Sequence, residues 1–321
     1  MRFRTLGRTG FSVSEIGHGL WGMGDWSGSA ETASIAALKA SQAGGCNFYD
    51  SAWAYGRGRS DALLRHIAGG GDHPPVLASK VPPKNWKWPG SSADKFSDVY
   101  PIDYVIKSAE DSCLKAGVDT LALMQLHVWD DTWTTDPGFE KIVLELKKRK
   151  LCVAFGLSLN RWQPANGLKA IKTGLVDAVQ VIYNIFDQSP EDELLPICAE
   201  RNIGVIARVP LDEGSLGGNL TLETRFASDD WRAKYFGPEN LPPTIQRVEK
   251  LRQALPPNAS MPDLALRFVL QNPAISTVIV GMRSLAHVKA NLAASDRPIE
   301  PGLMAELRKH RWDRPVADWA D

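Results

Sequence analysis

No sign of charge dominates this chain. Lysine plus arginine and aspartate plus glutamate each total 37 of 321 residues, so the formal net charge is zero. The one short like-charged run, Lys147-Lys-Arg-Lys150, falls where a helix is expected to end, and there it matches the negative end of the helix dipole. A nucleic-acid partner is therefore not expected. Cysteine is scarce and scattered: Cys46, Cys113, Cys152 and Cys198 form no C-x-x-C pair, which argues against a zinc site or a dithiol redox motif. Cys152 lies in an apolar run and reads as a core residue. Long hydrophobic runs are missing too. The stretch Met1-Arg-Phe-Arg-Thr-Leu-Gly-Arg8 has no signal-peptide character and no run approaches a membrane span, so a cytoplasmic protein without membrane contact is expected. Nor does a G-x-G-x-x-G follow the first expected strand. Trp21-Gly-Met-Gly24 stands there and fits that fingerprint badly, which weighs against a doubly wound dinucleotide-binding sheet.

What is present is an ordinary globular composition, 44% hydrophobic and 23% charged, arranged in alternating short apolar runs and amphipathic stretches. Phe3-Arg-Thr-Leu6, a turn at Gly7-Arg-Thr-Gly10 and Phe11-Ser-Val13 predict an N-terminal β-hairpin. Strands are predicted at 15–21, 47–52, 76–81, 120–128, 153–159, 178–184, 204–211 and 276–281. Helices are predicted at 31–43, 60–68, 103–116, 138–148, 165–173, 192–201, 261–271 and 284–294. Ala43-Gly-Gly45 stops the first of these; Pro262 opens the seventh, and Pro273 lies just past its end. Eight strand–helix units without a break in composition predict an α/β protein: one (β/α)8 TIM barrel domain spanning 1–321. Two connections are long, 82–101 after the third strand and 212–241 after the seventh, with an extra helix expected at 244–254. Both belong to the face on which barrel enzymes carry their sites.

Four ionisable residues fall at or just after the ends of three of these strands. Asp50 and Tyr55 lie in Asn47-Phe-Tyr-Asp-Ser-Ala-Trp-Ala-Tyr-Gly56, Lys80 closes Val76-Leu-Ala-Ser-Lys80, and His127 closes Leu121-Ala-Leu-Met-Gln-Leu-His127. Their chemistry is mutually explanatory. A free phenol, with a pKa of about 10, is a poor acid–base group at neutral pH. A lysine ammonium beside Tyr55 would lower that value. Asp50 would keep the lysine charged despite burial. His127 would hydrogen-bond a carbonyl oxygen or help relay the proton. In the surrounding pattern Asp50-x4-Tyr55-Gly56-x-Gly58-x-Ser60-Asp61, the glycines fit a tight turn and Ser60 fits a helix N-cap.

The spacing and neighbours of these four residues resemble the aldo-keto reductases over nearly the whole chain. The resemblance implies a barrel oxidoreductase that reduces aldehydes or ketones to alcohols by hydride transfer from a nicotinamide cofactor, with Asp50, Tyr55, Lys80 and His127 as catalytic residues. It also implies cofactor contacts at Trp21, Asp50, Ser158, Asn160 and Gln180. The segment Arg208, Val209, Pro210, Leu211, Gly214 and Ser215 resembles the loop beneath the pyrophosphate, and Gly281, Arg283, His287 and Asn291 resemble the loop and helix start around the adenosine phosphate. Arg283 favours NADP(H), with NAD(H) as the alternative.

Three departures from the family pattern stand out. Leu159 intervenes between Ser158 and Asn160, Arg208 replaces the usual aromatic residue at the seventh strand, and His287 replaces a longer polar side chain. Trp21, Trp53, Trp86 and Trp88 are expected to wall a substrate pocket for an aromatic carbonyl or a sugar. The same resemblance leaves room for a nicotinamide-sensing subunit of the channel β type, and Lys80 alone for a Schiff-base aldolase.

Overall fold

In the computed structural model, which describes residues 1–24, 30–228, 230–295 and 297–314, the eight expected strands close into one parallel barrel. The hairpin forms first, from β1 (Phe3–Thr5) and β2 (Ser12–Ser14), antiparallel with Arg4 opposite Val13. The barrel strands follow: β3 (Ile16–Gly19), β4 (Phe48–Asp50), β5 (Val76–Val81), β6 (Leu121–Leu126), β7 (Cys152–Ser158), β8 (Ala178–Ile182), β9 (Gly204–Arg208) and β10 (Thr277–Gly281). They pair in chain order, and β10 closes the ring on β3. This is a (β/α)8 TIM barrel with an N-terminal hairpin.

Strand alternation divides the core in two. Phe48, Ala78, Leu123, Ala154, Ala178, Ile206 and Ile279 fill the barrel interior, and Leu6 and Val13 of the hairpin plug its lower end. The intervening side chains pack outward against the helices. In helix Ile102–Ala116 the buried positions Val105, Ile106, Ala109, Cys113 and Ala116 recur at helical spacing, and Gly117 ends the helix at φ 72°. Asp136 caps helix Pro137–Lys148 by accepting the Gly138 amide at 2.8 Å, with Pro137 in the first turn. All four cysteines are free and buried.

Helices Glu31–Ala43 and Met261–Gln271 agree with the predicted bounds, and Leu241–Ala254 extends the expected extra helix. The helix expected at 165–173 is shorter, Leu168–Lys172. Among the described residues three α-helices were not anticipated: Phe96–Val99 and Arg232–Tyr235 inside the two long loops, and Pro301–Arg308. The N-cap assigned to Ser60 is corrected. Helix Arg59–Leu64 follows Gly58 at φ 84° with no side-chain cap, and the Ser60 hydroxyl points inward to Ser51. Among the described residues no helix is long and apolar enough to cross a membrane, and no cluster of metal-ligating residues occurs.

Candidate active site

Asp50 ends β4 and Lys80 lies one residue short of the end of β5, both facing the barrel interior near its upper mouth. Lys80 Nζ donates to Asp50 Oδ2 at 2.6 Å, to the Ser51 carbonyl at 2.8 Å and to Tyr55 Oη at 3.3 Å. The lysine side chain is fully enclosed and Asp50 is 2% exposed. Burial works against the lysine's charge, but Asp50 and Tyr55 outweigh it and hold Lys80 above its ordinary value. Asp50 has a second partner, since Gln180 Nε2 on β8 donates to Oδ1 at 2.8 Å. Tyr55 sits on the tight turn after β4. Gly56, at φ 64°, closes that turn so near Gly24 that a Cβ would stand 2.2 Å from its carbonyl oxygen.

The expected electrostatic effect on Tyr55 is corrected in its net sign. Lys80 does pull the phenol down, but burial contributes more, and Tyr55 stands above its ordinary value. At neutral pH the group is a phenol with a proton to donate. The His127 ring meets the Tyr55 ring edge-on, with centroids 5.6 Å apart. Burial, then Lys80 and Arg208, hold His127 well below its usual range, so its imidazole is neutral; Nδ1 is sealed from solvent without a partner. The four residues singled out from the sequence thus converge on one site.

A row of tryptophans leads outward from His127. Trp88 lies edge-on to it at 5.8 Å, Trp86 follows at 5.5 Å, and Trp53 at 6.4 Å. Trp53 is anchored by its indole N–H to Asp111 at 2.6 Å. Trp21 instead faces Trp231 of the long loop after β9, at 6.3 Å.

The remaining expected contacts are distributed around the mouth. Ser158 is buried at the end of β7, and Arg208 at the end of β9 donates to the Leu159 carbonyl at 3.0 Å while its buried Nε has no partner. Asn160 turns its carbonyl oxygen onto its own loop, accepting the Trp162 and Gln163 amides at 2.8 and 3.0 Å. The loop after β9 is strained: Val209, Asp212 and Glu213 take φ of 56°, 44° and 54° beside Gly214 at 106°. Asp212 holds it in place, accepting from Ser215 Oγ at 2.6 Å and pairing with Arg314 at 2.8 Å. Pro210 is buried, and the Leu211 carbonyl accepts the Gly214 amide at 2.9 Å. Gly281, Arg283 and His287 are exposed, Ser284 caps the helix by accepting the His287 amide, and Asn291 Nδ2 donates back to the Gly281 carbonyl at 3.4 Å.

Sequence reasoning gave no role to Asp61 and missed Gln125, Asp111, Trp231, Arg314 and Arg161, which pairs with Glu213 at 3.4 Å. Gln125 was within reach of it: two residues before His127 on the same strand face, it is fully buried with both amide atoms unpartnered. The others depend on contacts between distant segments.

A parallel barrel whose mouth gathers a buried lysine–carboxylate pair, a protonated phenol and a neutral imidazole has the parts of an acid–base site. The model of the Aldo/keto reductase family matches residues 15–311, and the chain belongs to that family of nicotinamide-dependent oxidoreductases. It is 26% identical to the uncharacterized oxidoreductase YqkF of Bacillus subtilis, over 97% of this chain and 96% of that one. It is 23% identical to the NADH-specific methylglyoxal reductase of Escherichia coli, over 90% of this chain and 92% of that one. Among solved structures, the aldo-keto reductase AKR11C1 from Bacillus halodurans (holo form) superposes with a TM-score of 0.78 at 23% identity, covering both chains completely.

Proposed function

We propose that the protein is an NADP(H)-preferring carbonyl reductase in which Tyr55 is the proton donor, with 1–321 acting as one catalytic domain. The observation that carries this reading is the short chain Asp50–Lys80–Tyr55 with His127 beside the phenol. A substrate carbonyl oxygen placed between Tyr55 Oη and the imidazole receives the phenolic proton as negative charge develops on it. Neutral His127 donates a second hydrogen bond from Nε2, since Nδ1 is sealed inside. Lys80 offsets the phenolate that remains, and Asp50 holds Lys80 charged. A nicotinamide held at this mouth would supply the hydride.

The mouth is suited to that cofactor. Ser158 ends β7 and Gln180 lies within β8, Arg208 carries an unpartnered Nε, and Gly214 leaves open space where a side chain would otherwise stand. Arg283, exposed at the end of β10 beside a capped helix N-terminus, is suited to a 2′-phosphate. The tryptophan row favours flat or aromatic carbonyl substrates, or the faces of sugars. An aldolase reading is disfavoured, because a Schiff-base lysine needs a lowered pKa and Lys80 is held high.

The test is a panel of aliphatic, aromatic and sugar carbonyls followed by loss of reduced-cofactor absorbance, with NADPH and NADH in parallel. Turnover fastest with NADPH and an aromatic aldehyde or a sugar is expected. No turnover with any carbonyl, despite tight cofactor binding, would transfer the case to a nicotinamide-sensing role.

A further inference from the structure

One buried acid in the molecule has no part in the scheme above. Asp61 lies on helix Arg59–Leu64, fully enclosed, behind the β4–β5 edge. Its oxygens are surrounded by hydroxyls from three elements. Ser51 Oγ reaches Oδ1 at 2.5 Å, Ser79 Oγ reaches the same oxygen at 2.8 Å, and Ser112 Oγ reaches Oδ2 at 2.8 Å.

Each hydroxyl has one proton to give. Ser79 and Ser112 point theirs at Asp61. Ser51 stands between Asp61 and Ser60, and Ser60 can donate either to Ser51 at 2.6 Å or to the Ala52 carbonyl at 3.2 Å. With Ser60 turned to Ser51, all three serines donate inward, and that shell fits an anion. Burial raises the acid above its usual value, while the three hydroxyls and Lys80 pull it back down. An enclosed anion with no cation in contact draws on the nearest buried positive charge, and that is Lys80. Ser51 links the two directly: its hydroxyl serves Asp61 while its carbonyl accepts Lys80 Nζ at 2.8 Å. Ser79, another of the three hydroxyls, is Lys80's neighbour on β5.

We propose that Asp61 is held ionised by Ser51, Ser79 and Ser112 and acts as a second counter-charge to Lys80, a positioning residue that keeps the Tyr55 phenol protonated. This rests on the reading of Tyr55 as proton donor. The charge near Lys80 is then shared between Asp50 in front and Asp61 behind. The titratable groups that act on Asp61 are Lys80, which pulls it down, and Cys113 on helix Ile102–Ala116, itself pushed up by burial to about 11 and neutral over the working range. Around Tyr55 stand Lys80, Asp50, Arg208 and His127. Removing the negative charge of Asp61 leaves an excess of positive charge there, and that lowers the pKa of the phenol.

The test is Asp61→Asn, nearly isosteric and able to keep the Ser51 and Ser79 hydrogen bonds. Ultraviolet difference titration, with Tyr55→Phe versions of parent and variant subtracted, reads the Tyr55 ionisation alone and without turnover. The expected result is a downward displacement of about half a unit to one unit, less than the ~1–3 units of a directly adjacent charge. The alkaline limb of the carbonyl-reduction profile should move the same way. An unmoved or raised phenol titration in a folded variant overturns the proposal and leaves Asp61 a purely structural acid. Because the titration needs no substrate, it stands apart from the fate of the reductase reading, which fails instead if Tyr55→Phe retains full turnover. Should Asp61→Asn not fold, infrared spectra of the [13C]aspartate-labelled parent and Ser112→Ala decide. A protonated-acid band at neutral pH in the parent that moves in Ser112→Ala overturns the assignment; its absence supports it.

Discussion

The two ends of the barrel solve opposite problems with the same residue types. At the lower end Glu15, 2% exposed, is held by Arg4 at 2.7 Å and Arg2 at 3.2 Å. Arg4 spends its other donors on the carbonyls of Leu270, Asn272 and Ile275. At the upper end the charges are also paired, yet Nδ1 of His127, Nε of Arg208 and both amide atoms of Gln125 are buried without partners. Positive φ does not separate the ends: Val209, Asp212 and Glu213 lie at the upper one, but Lys150 and Asn202, just before β7 and β9, lie at the lower. Each unmade buried hydrogen bond costs roughly 1–3 kcal/mol. A fold keeps such costs where a ligand or a reaction needs the groups free, and removes them where only closure is at stake. The plugged, satisfied end stabilises; the unsatisfied end acts.

Substitutions at each end should separate these roles. The largest effect is expected from Tyr55→Phe, which deletes one hydroxyl: kcat should fall by about 10²- to 10⁴-fold, with unfolding and cofactor affinity little changed. Near-parental turnover would remove Tyr55 from its role.

Lys80→Met comes next, with a fall of about 10²-fold at neutral pH. Lys80 pulls the phenol down against burial, so without it Tyr55 ionises at still higher pH. Alcohol oxidation, which needs the phenolate, should therefore recover only above the pH at which the parent is active. A pH profile coincident with the parent's would break the coupling.

At the other end, Arg4→Met should cost about 1.5–3 kcal/mol of stability, the scale of a charge-assisted hydrogen bond, while kcat is unchanged. Burial raises Glu15, but Arg4 and Arg2 outweigh it and hold the acid below its usual range. Its stabilisation is accordingly complete above the ordinary carboxylate pKa and lost as pH falls through the lowered one. Denaturant melts should show the parent–variant gap narrowing with acidification. A gap that widens, or a drop in kcat, would contradict the division between the ends.

The smallest effect is at the rim. Arg283→Ala should weaken NADPH over NADH by roughly tenfold, the lower end of what a charge-assisted bond supplies, because the side chain is exposed and screened by salt. Fluorescence titration of both cofactors at fixed ionic strength measures it. Equal weakening would assign Arg283 to a part common to both.

Period and punctuation made most of the framework legible. Each predicted strand encloses or overlaps its observed counterpart, because a fully buried parallel strand must be a short apolar run between turn residues. Helix Phe96–Val99 was not legible for the opposite reason. Four residues carry no period, and it is organised by Phe96 packing on Trp129, Trp133 and Phe139. Helix Pro301–Arg308 buries Leu307 but shows little other apolar periodicity. Ser60 misled because its place before an apolar stretch is what an N-cap looks like; only the fold reveals that the hydroxyl is needed by Ser51.

The sequence by itself determined the barrel, the hairpin that plugs it and the four residues that meet at its mouth. Local pattern sets strand and helix identity, and strand ends on one side of a barrel necessarily converge. Only the tertiary structure decided the electrostatics of that meeting. Gln180 reaches Asp50 across 130 residues, Ser112 reaches Asp61 across 51, and burial rather than Lys80 dominates the phenol. Those terms depend on what surrounds each charge after water has left, and no run of neighbouring residues encodes that.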